Sequence, residues 1–301
     1  MSLRYFTCDV FTDRRFGGNP LAVFPDAPAL DDARMQAIAR ELNLSETVFV
    51  YPPDEPGNRC RLRIFTPARE VPFAGHPTIG TAFVLASIDA GDTADGEFDW
   101  VLEERVGPVP VRMARQGGRI RWGELTVAQP PEERAADVSA EQLADMLGLA
   151  PAALAGGEHA PVAASCGLPF TLVVLKDAAD LGRLKVNNAA IVEALDGTWA
   201  PDLFVAAETG DGEWQARMFA PVDNLIEDPA TGSAAAAFGA FLATRDTRAD
   251  GRLAYSLSQG IEMGRPSAIG VSVDKRGGEI EAVRVRGASV MVSEARMQFQ
   301  A

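Results

Sequence analysis

Glu70-Val71-Pro72-Phe73-Ala74-Gly75-His76-Pro77-Thr78-Ile79-Gly80-Thr81-Ala82-Phe83-Val84-Leu85-Ala86 returns later in the chain, without gaps, as Glu227-Asp228-Pro229-Ala230-Thr231-Gly232-Ser233-Ala234-Ala235-Ala236-Ala237-Phe238-Gly239-Ala240-Phe241-Leu242-Ala243. The shared Glu, Pro and Gly stand at a constant offset of 157 residues. Upstream, Arg63-Ile64-Phe65-Thr66-Pro67 matches Arg217-Met218-Phe219-Ala220-Pro221 at an offset of 154, which puts three extra residues in the second copy's loop. Earlier still, Phe49-Val50 matches Phe204-Val205 at 155, in each case an apolar strand ahead of the arginine-bearing one. Matches that keep one order at nearly one offset indicate a duplicated domain.

Each copy reads as strands around one apolar helix. The helices starting near Pro77 and Ala234 carry no charge on any face for roughly ten residues, a pattern that requires burial all round rather than on one stripe. The predicted architecture is therefore α+β (α/β): two homologous domains, each a curved mixed sheet wrapped around a central buried helix. Short β-rich runs at Leu21-Phe24, Thr47-Tyr51, Arg61-Phe65, Thr171-Leu175, Leu203-Val205 and Val271-Val273 supply strands. Amphipathic outer helices are expected at Asp32 to Leu42 and at Ser139 to Leu147, the latter opening with a Ser139-Gln142 capping box. The polar proline pair in Gln129-Pro130-Pro131-Glu132-Glu133 marks the boundary. It divides the chain into residues 1–128 and 129–301, with terminal strands free to cross between the halves.

At 301 residues and 47% hydrophobic content the chain can bury two cores. Its formal charge of -14, from 28 Lys+Arg against 42 Asp+Glu, makes nucleic acid and anionic membranes poor partners. Cys8, Cys60 and Cys166 are odd in number and lack C-x-x-C spacing, and His159 is far from them, so neither a disulfide framework nor a zinc site is indicated. No nucleotide-binding glycine motif occurs, and no cofactor is expected. Asp9 and Asp13 interrupt the N-terminal apolar stretch, unlike a signal peptide, so a cytoplasmic protein is expected. The uncharged stretch from Val71 to Ile88 approaches a membrane span in length, but its prolines and glycines read as a loop entering a buried helix.

Pro77 suits the first position of a helix, which makes His76 the expected N-cap and, through the repeat, gives Ser233 the same post. Buried helix starts leave N–H donors without intrahelical partners, and a substrate carboxylate answers both those donors and the positive end of the helix dipole. Side chains or water could satisfy one such start. A matched pair favours a shared anion site.

The segments Gly18-Asn19-Pro20, Asn43-Leu44-Ser45-Glu46-Thr47, Phe73-Ala74-Gly75-His76-Pro77-Thr78, Glu227 to Ser233, and Gln259-Gly260 with Gly264-Arg265-Pro266-Ser267 carry a resemblance along almost the whole length. The chain resembles the PhzF-like phenazine-biosynthesis family, within the diaminopimelate epimerase fold. That resemblance implies an active site in a cleft between the halves, a homodimer, and proton transfer without metal or organic cofactor. The family reaction is isomerisation of a dihydro-hydroxyanthranilate, a cyclic amino acid. Carried over by motif, Glu46 moves the proton, assisted by His76 and Asp228. Gly75, Gly232 and Ser233 bind the substrate carboxylate, with Ser45 and Asn19 as further substrate-side positions. In the epimerase branch two cysteines act as opposed acid and base; the aligned positions here are Ala74 and Thr231, which excludes a two-thiol mechanism.

Each residue also has a plainer reading. Glu46 alone would be a solvated strand-end residue, His76 a helix cap, and Asp228 the start of an Asp-Pro turn. Asn19 either holds a turn or touches substrate. Arg63 and Arg217 recur in both halves and read as architecture, as does Arg265, while Met218 and Phe219 read as core. The functional expectation is an isomerase moving a proton on a small carboxylate-bearing, cyclic amino-acid-like substrate. The alternatives are a single-base epimerase or dehydratase of an amino-acid-like compound, and a non-catalytic scaffold binding metabolites or protein.

Overall fold

The structure, a computed structural model, describes residues 2–27, 30–89 and 94–298. By its internal contacts the chain separates into two compact units: residues up to Thr126 together with those from Arg286 onward, and Val127 to Val285.

The first unit opens with β1 (Ser2–Val10), β2 (Asn19–Phe24), α1 (Asp32–Leu42), β3 (Glu46–Tyr51), β4 (Cys60–Phe65), the short β5 (Glu70–Val71) and α2 (Gly75–Ile88). A meander of β6 (Gly96–Glu104), β7 (Gly107–Gln116) and β8 (Arg119–Thr126) follows. β1 pairs antiparallel with β2, β2 runs parallel to β3, β3 is antiparallel to β4, and β4 is parallel to β6. The mixed sheet continues antiparallel through β7 to β8. It curves enough for β1, β2, β3, β7 and β8 all to touch α2, and His76 through Ala86 are buried without a break. Close approach is made possible by Gly80, where a Cβ would stand 2.6 Å from side-chain carbons of both Leu21 and Val10.

On the sheet's other side, α1 is capped by Asp31, which accepts from the Arg34 amide, and is ended by Asn43 in the left-handed conformation. Its Met35, Ile38 and Ala39 pack on Phe24, Phe49 and Phe65. Burying a side chain such as Met35 or Ile38 contributes about 1.5–3 kcal/mol.

The second unit contains β9 (Glu132–Ala135), α3 (Ala140–Leu147), β10 (Val162–Ser165), β11 (Pro169–Leu175), α4 (Asn188–Leu195), β12 (Asp202–Gly210), β13 (Glu213–Ala220), β14 (Leu225–Asp228), α5 (Gly232–Arg245), β15 (Gly251–Gln259) and β16 (Ser267–Arg276). Within the stretch expected to hold the boundary, Glu132 and Glu133 already pair with β10 as part of β9. The order is β9-β10-β11-β12-β13-β15-β16, with β11 parallel to β12, β13 parallel to β15, and the other pairings antiparallel. α5 touches β10, β11, β15 and β16 and is buried almost throughout from Gly232 to Ala243. The predicted capping box is present in α3, between Ser139 and Gln142, and Leu143, Met146 and Leu147 join α4 in a core over β11 and β12. β17 (Glu279–Gly287) leads to β18 (Ser289–Gln298), which returns to the first unit and pairs antiparallel with β1.

The duplication extends to register. Cys60 faces Leu102 across parallel β4 and β6, and Trp214 faces Leu257 across β13 and β15. Ile64 faces Val71, and Met218 faces Asp228. The recurring arginines each make a bidentate bond to the recurring glutamate: Arg63 to Glu70 at 2.8 and 2.7 Å, and Arg217 to Glu227 at 2.8 and 2.8 Å. They hold β4 to β5 and β13 to β14, the architectural role expected of them. Met218 and Phe219 are core, as expected.

One sequence match is corrected. Arg63 faces Phe49, whereas Arg217 faces Val205, so the counterpart of Phe49 is Val205 and not Phe204. Both runs are apolar at every position, so the sequence carries no alternation to fix the slip, yet one residue reverses every side chain's face. In the true register Asp202, facing Phe170, takes the place that Glu46, facing Leu21, holds in the first unit.

Candidate active site

Glu46 is the first residue of β3, delivered by the turn that Asn43 makes at the end of α1. His76 is the second residue of α2. Within the first unit these two meet: Oε2 of Glu46 lies 3.1 Å from Nε2 of His76, with 16% and 7% of the side chains exposed. The contact is close but lacks the alignment of a hydrogen bond at the imidazole nitrogen. Burial pushes the imidazole down to about 3, so the ring is neutral at physiological pH.

The helix starts differ from the sequence expectation. The N-cap of α2 is Ala74, and that of α5 is Thr231, so His76 and Ser233 are not caps but the second residues of their helices. Thr78 N–H closes the first turn on the Ala74 carbonyl at 3.2 Å, and Ala235 N–H does so on Thr231 at 3.0 Å. Pro77 falls third, where its missing N–H still costs nothing because the first-turn donors have no intrahelical acceptor. No side chain caps either helix. Ala74 and Thr231 are thus the two cap posts. Gly75 and Ser233 are half-buried and Gly232 is buried.

Asp228, buried in the second unit, sits in a network of bonds with Thr231 and Gln259. Thr231 Oγ1 donates to Asp228 Oδ2 at 2.5 Å, Gln259 Nε2 donates to the Asp228 carbonyl at 2.7 Å and to Thr231 Oγ1 at 3.0 Å, and Thr231 N–H donates to Gln259 Oε1 at 3.1 Å. Ser267 Oγ ties the turn to β15 by donating to the Pro229 and Gln259 carbonyls. Gly260 is obligatory beside it, since φ is +74° and a Cβ would meet the Pro229 carbonyl at 2.6 Å.

In the first unit Glu104 ends β6 as Gln259 ends β15, and it too is buried. Thr78 Oγ1 lies 2.7 Å from the Ala74 carbonyl and 2.6 Å from Glu104 Oε1. The Thr78 hydroxyl thus shares its proton between that carbonyl and Glu104, while burial, the larger effect, pushes the Glu104 carboxyl up to about 8. The sequence reading passed over Glu104 and Asp202. Neither lies in a short motif, and only the strand register makes them counterparts of Gln259 and Glu46.

Asn19 begins β2 and is fully buried, and Ser45, immediately ahead of Glu46, is half-buried. All three cysteines are free and buried, and burial raises each thiol, Cys60 and Cys166 to about 12. Among the described residues no three or more His, Cys, Asp and Glu side chains group as a metal site, and no helix is long and apolar enough to cross a membrane.

This geometry coincides with a family match. The phenazine biosynthesis-like protein family (PhzC-PhzF) matches residues 8–295. An isomerase from Mesorhizobium japonicum is 40% identical, covering 97% of this chain and 98% of that protein. The trans-2,3-dihydro-3-hydroxyanthranilate isomerase of Pseudomonas aeruginosa is 36% identical, covering 97% of this chain and 98% of its own. A crystal structure of a PhzF-family phenazine biosynthesis protein from Bacillus anthracis superposes with a TM-score of 0.87 at 24% identity over 99% of this chain and all of that one, which shows the fold. With a full-length family match and a close glutamate–histidine pair at the start of a buried helix, the chain belongs to the phenazine biosynthesis-like family and is an isomerase.

Proposed function

We propose that this isomerase moves a proton on a small cyclic, amino-acid-like carboxylate without a metal or organic cofactor. The observation that carries the reading is the 3.1 Å approach of Glu46 to a buried neutral His76. In the proposed cycle the Glu46 carboxylate takes a proton from an acidic C–H. The bonding pair moves into the adjacent unsaturated system, and the same carboxyl returns the proton at another carbon, so no redox partner is needed. His76 keeps Glu46 oriented, and Asp228 polarises the substrate. The uncapped N–H groups at Gly75 and at Gly232-Ser233 receive the substrate carboxylate, with Asn19 and Ser45 on the substrate side. A cytoplasmic homodimer, acting on neither nucleic acid nor membrane, completes the proposal.

The substrate class comes from the Pseudomonas aeruginosa relative. The test is incubation of the chelator-treated protein with trans-2,3-dihydro-3-hydroxyanthranilate and a panel of cyclic amino acids in deuterated water, followed by NMR. Isomer formation at one carbon framework, abolished in Glu46→Gln, supports the reading. Activity that returns only with an added metal, or that survives Glu46→Gln, overturns it.

A further inference from the structure

The two units differ at one corner in a way that singles out a second group of residues. At equivalent places, shown by β4–β5 against β13–β14 and by the ends of β6 and β15, the first unit has Val71, Ala74 and Glu104, and the second has Asp228, Thr231 and Gln259. A duplicated scaffold needs none of the second set, because the first unit builds the same turn and the same buried helix without it.

The bonds among the second set have a fixed direction. Thr231 N–H can only donate, so the Gln259 atom facing it at 3.1 Å must be the oxygen. That leaves Nε2 toward the Asp228 carbonyl and Thr231 Oγ1. With an amide proton directed at Oγ1, the Thr231 hydroxyl turns its own proton to Asp228 Oδ2. Asp228, Thr231 and Gln259 are 5%, 9% and 1% exposed, so water competes little for these bonds.

We infer that Gln259 and Thr231 are positioning residues for Asp228: the one-way chain from amide to hydroxyl to Oδ2 holds the carboxyl in one rotamer and keeps that oxygen an acceptor. Thr231 works through Asp228 and not as an acid or base. The inference rests on the proposed role of Asp228 in the reaction.

Its test uses the full-length protein with Thr231→Val, which keeps size and removes the hydroxyl, Thr231→Ser, which keeps the hydroxyl, and Asp228→Asn. With a turned-over substrate, Thr231→Val lowers kcat at least tenfold with KM changed less than threefold, and Thr231→Ser restores kcat to within threefold of the parent. Independently of any substrate, carbon-13 NMR of the assigned Asp228 carboxyl shows its titration midpoint rising in Thr231→Val and returning in Thr231→Ser, because a bond favouring the ionised form is lost and regained. Thermal melts confirm that both variants fold. An inactive Asp228→Asn beside a Thr231→Val with parental kcat and an unmoved carboxyl overturns the relay alone. A fully active Asp228→Asn overturns the role of Asp228 and the relay with it.

Discussion

Glu46 and His76, thirty residues apart, bring Oε2 and Nε2 to 3.1 Å where a strand begins beside the first turn of a buried helix. Neither side chain is placed by its own element alone. The strand offers a carboxyl and the helix offers a ring that burial keeps neutral.

Replacing Glu46 with Gln keeps nearly the same shape and removes the base. Turnover is expected to fall about 10²–10⁴-fold, with the melting temperature changed by no more than a few degrees. Steady-state kinetics and a thermal melt check both, and a variant within tenfold of the parental rate contradicts the assignment.

His76 should remain neutral well below the usual histidine range. Its folded-state value lies below the unfolded 6.5, so the stability it favours is present above about pH 6.5 and is lost as pH falls toward 3. Nitrogen-15 NMR of the imidazoles, with His159→Gln to assign the two histidines, should show His76 uncharged at pH 5. A ring titrating between 6 and 7 refutes this.

Glu104 has the opposite sign. Its value of about 8 in the fold stands above the ordinary 4.5, so its contribution is fully present below about pH 4.5 and is lost as pH rises to 8. Glu104→Gln should therefore be close to neutral near pH 4.5 and stabilising by more than about 1 kcal/mol at pH 8. Denaturant melts at the two pH values measure it, and equal effects at both would contradict the protonated state.

The thiols of Cys8, Cys60 and Cys166 are buried and raised, so few thiolates form in the fold. A thiol reagent at pH 7.5 should leave activity unchanged while labelling all three after denaturation. Stoichiometric inactivation at one cysteine, prevented by substrate, would show that a thiol takes part.

A small ring carboxylate soaked or co-crystallised with the protein should place its carboxylate about 3 Å from the backbone N–H groups of Gly75-His76 or of Gly232-Ser233. Each helix end adds about 0.3–1 kcal/mol to such binding. A carboxylate bound at neither helix start in the crystal structure refutes the anion site.

The sequence by itself determined the duplication, the two buried helices and the outer helices, because these rest on local signals: an uncharged run with no polar face, a capping box at Ser139, and recurring Glu-x-Pro-x-x-Gly. Glu46, His76 and Asp228 are reached only through the family resemblance that the short motifs carry. Only the tertiary structure decided the helix starts at Ala74 and Thr231, because Pro77 is tolerated at more than one first-turn position and the cap is set by the incoming strand. Only strand pairing placed Asp202 opposite Phe170, since an all-apolar run carries no alternation from which to count register. Gln259 reaches Thr231 across 28 residues and Glu104 reaches Thr78 across 26. Such contacts are closed by parallel strands that meet after a buried helix, and no spacing in the chain announces them.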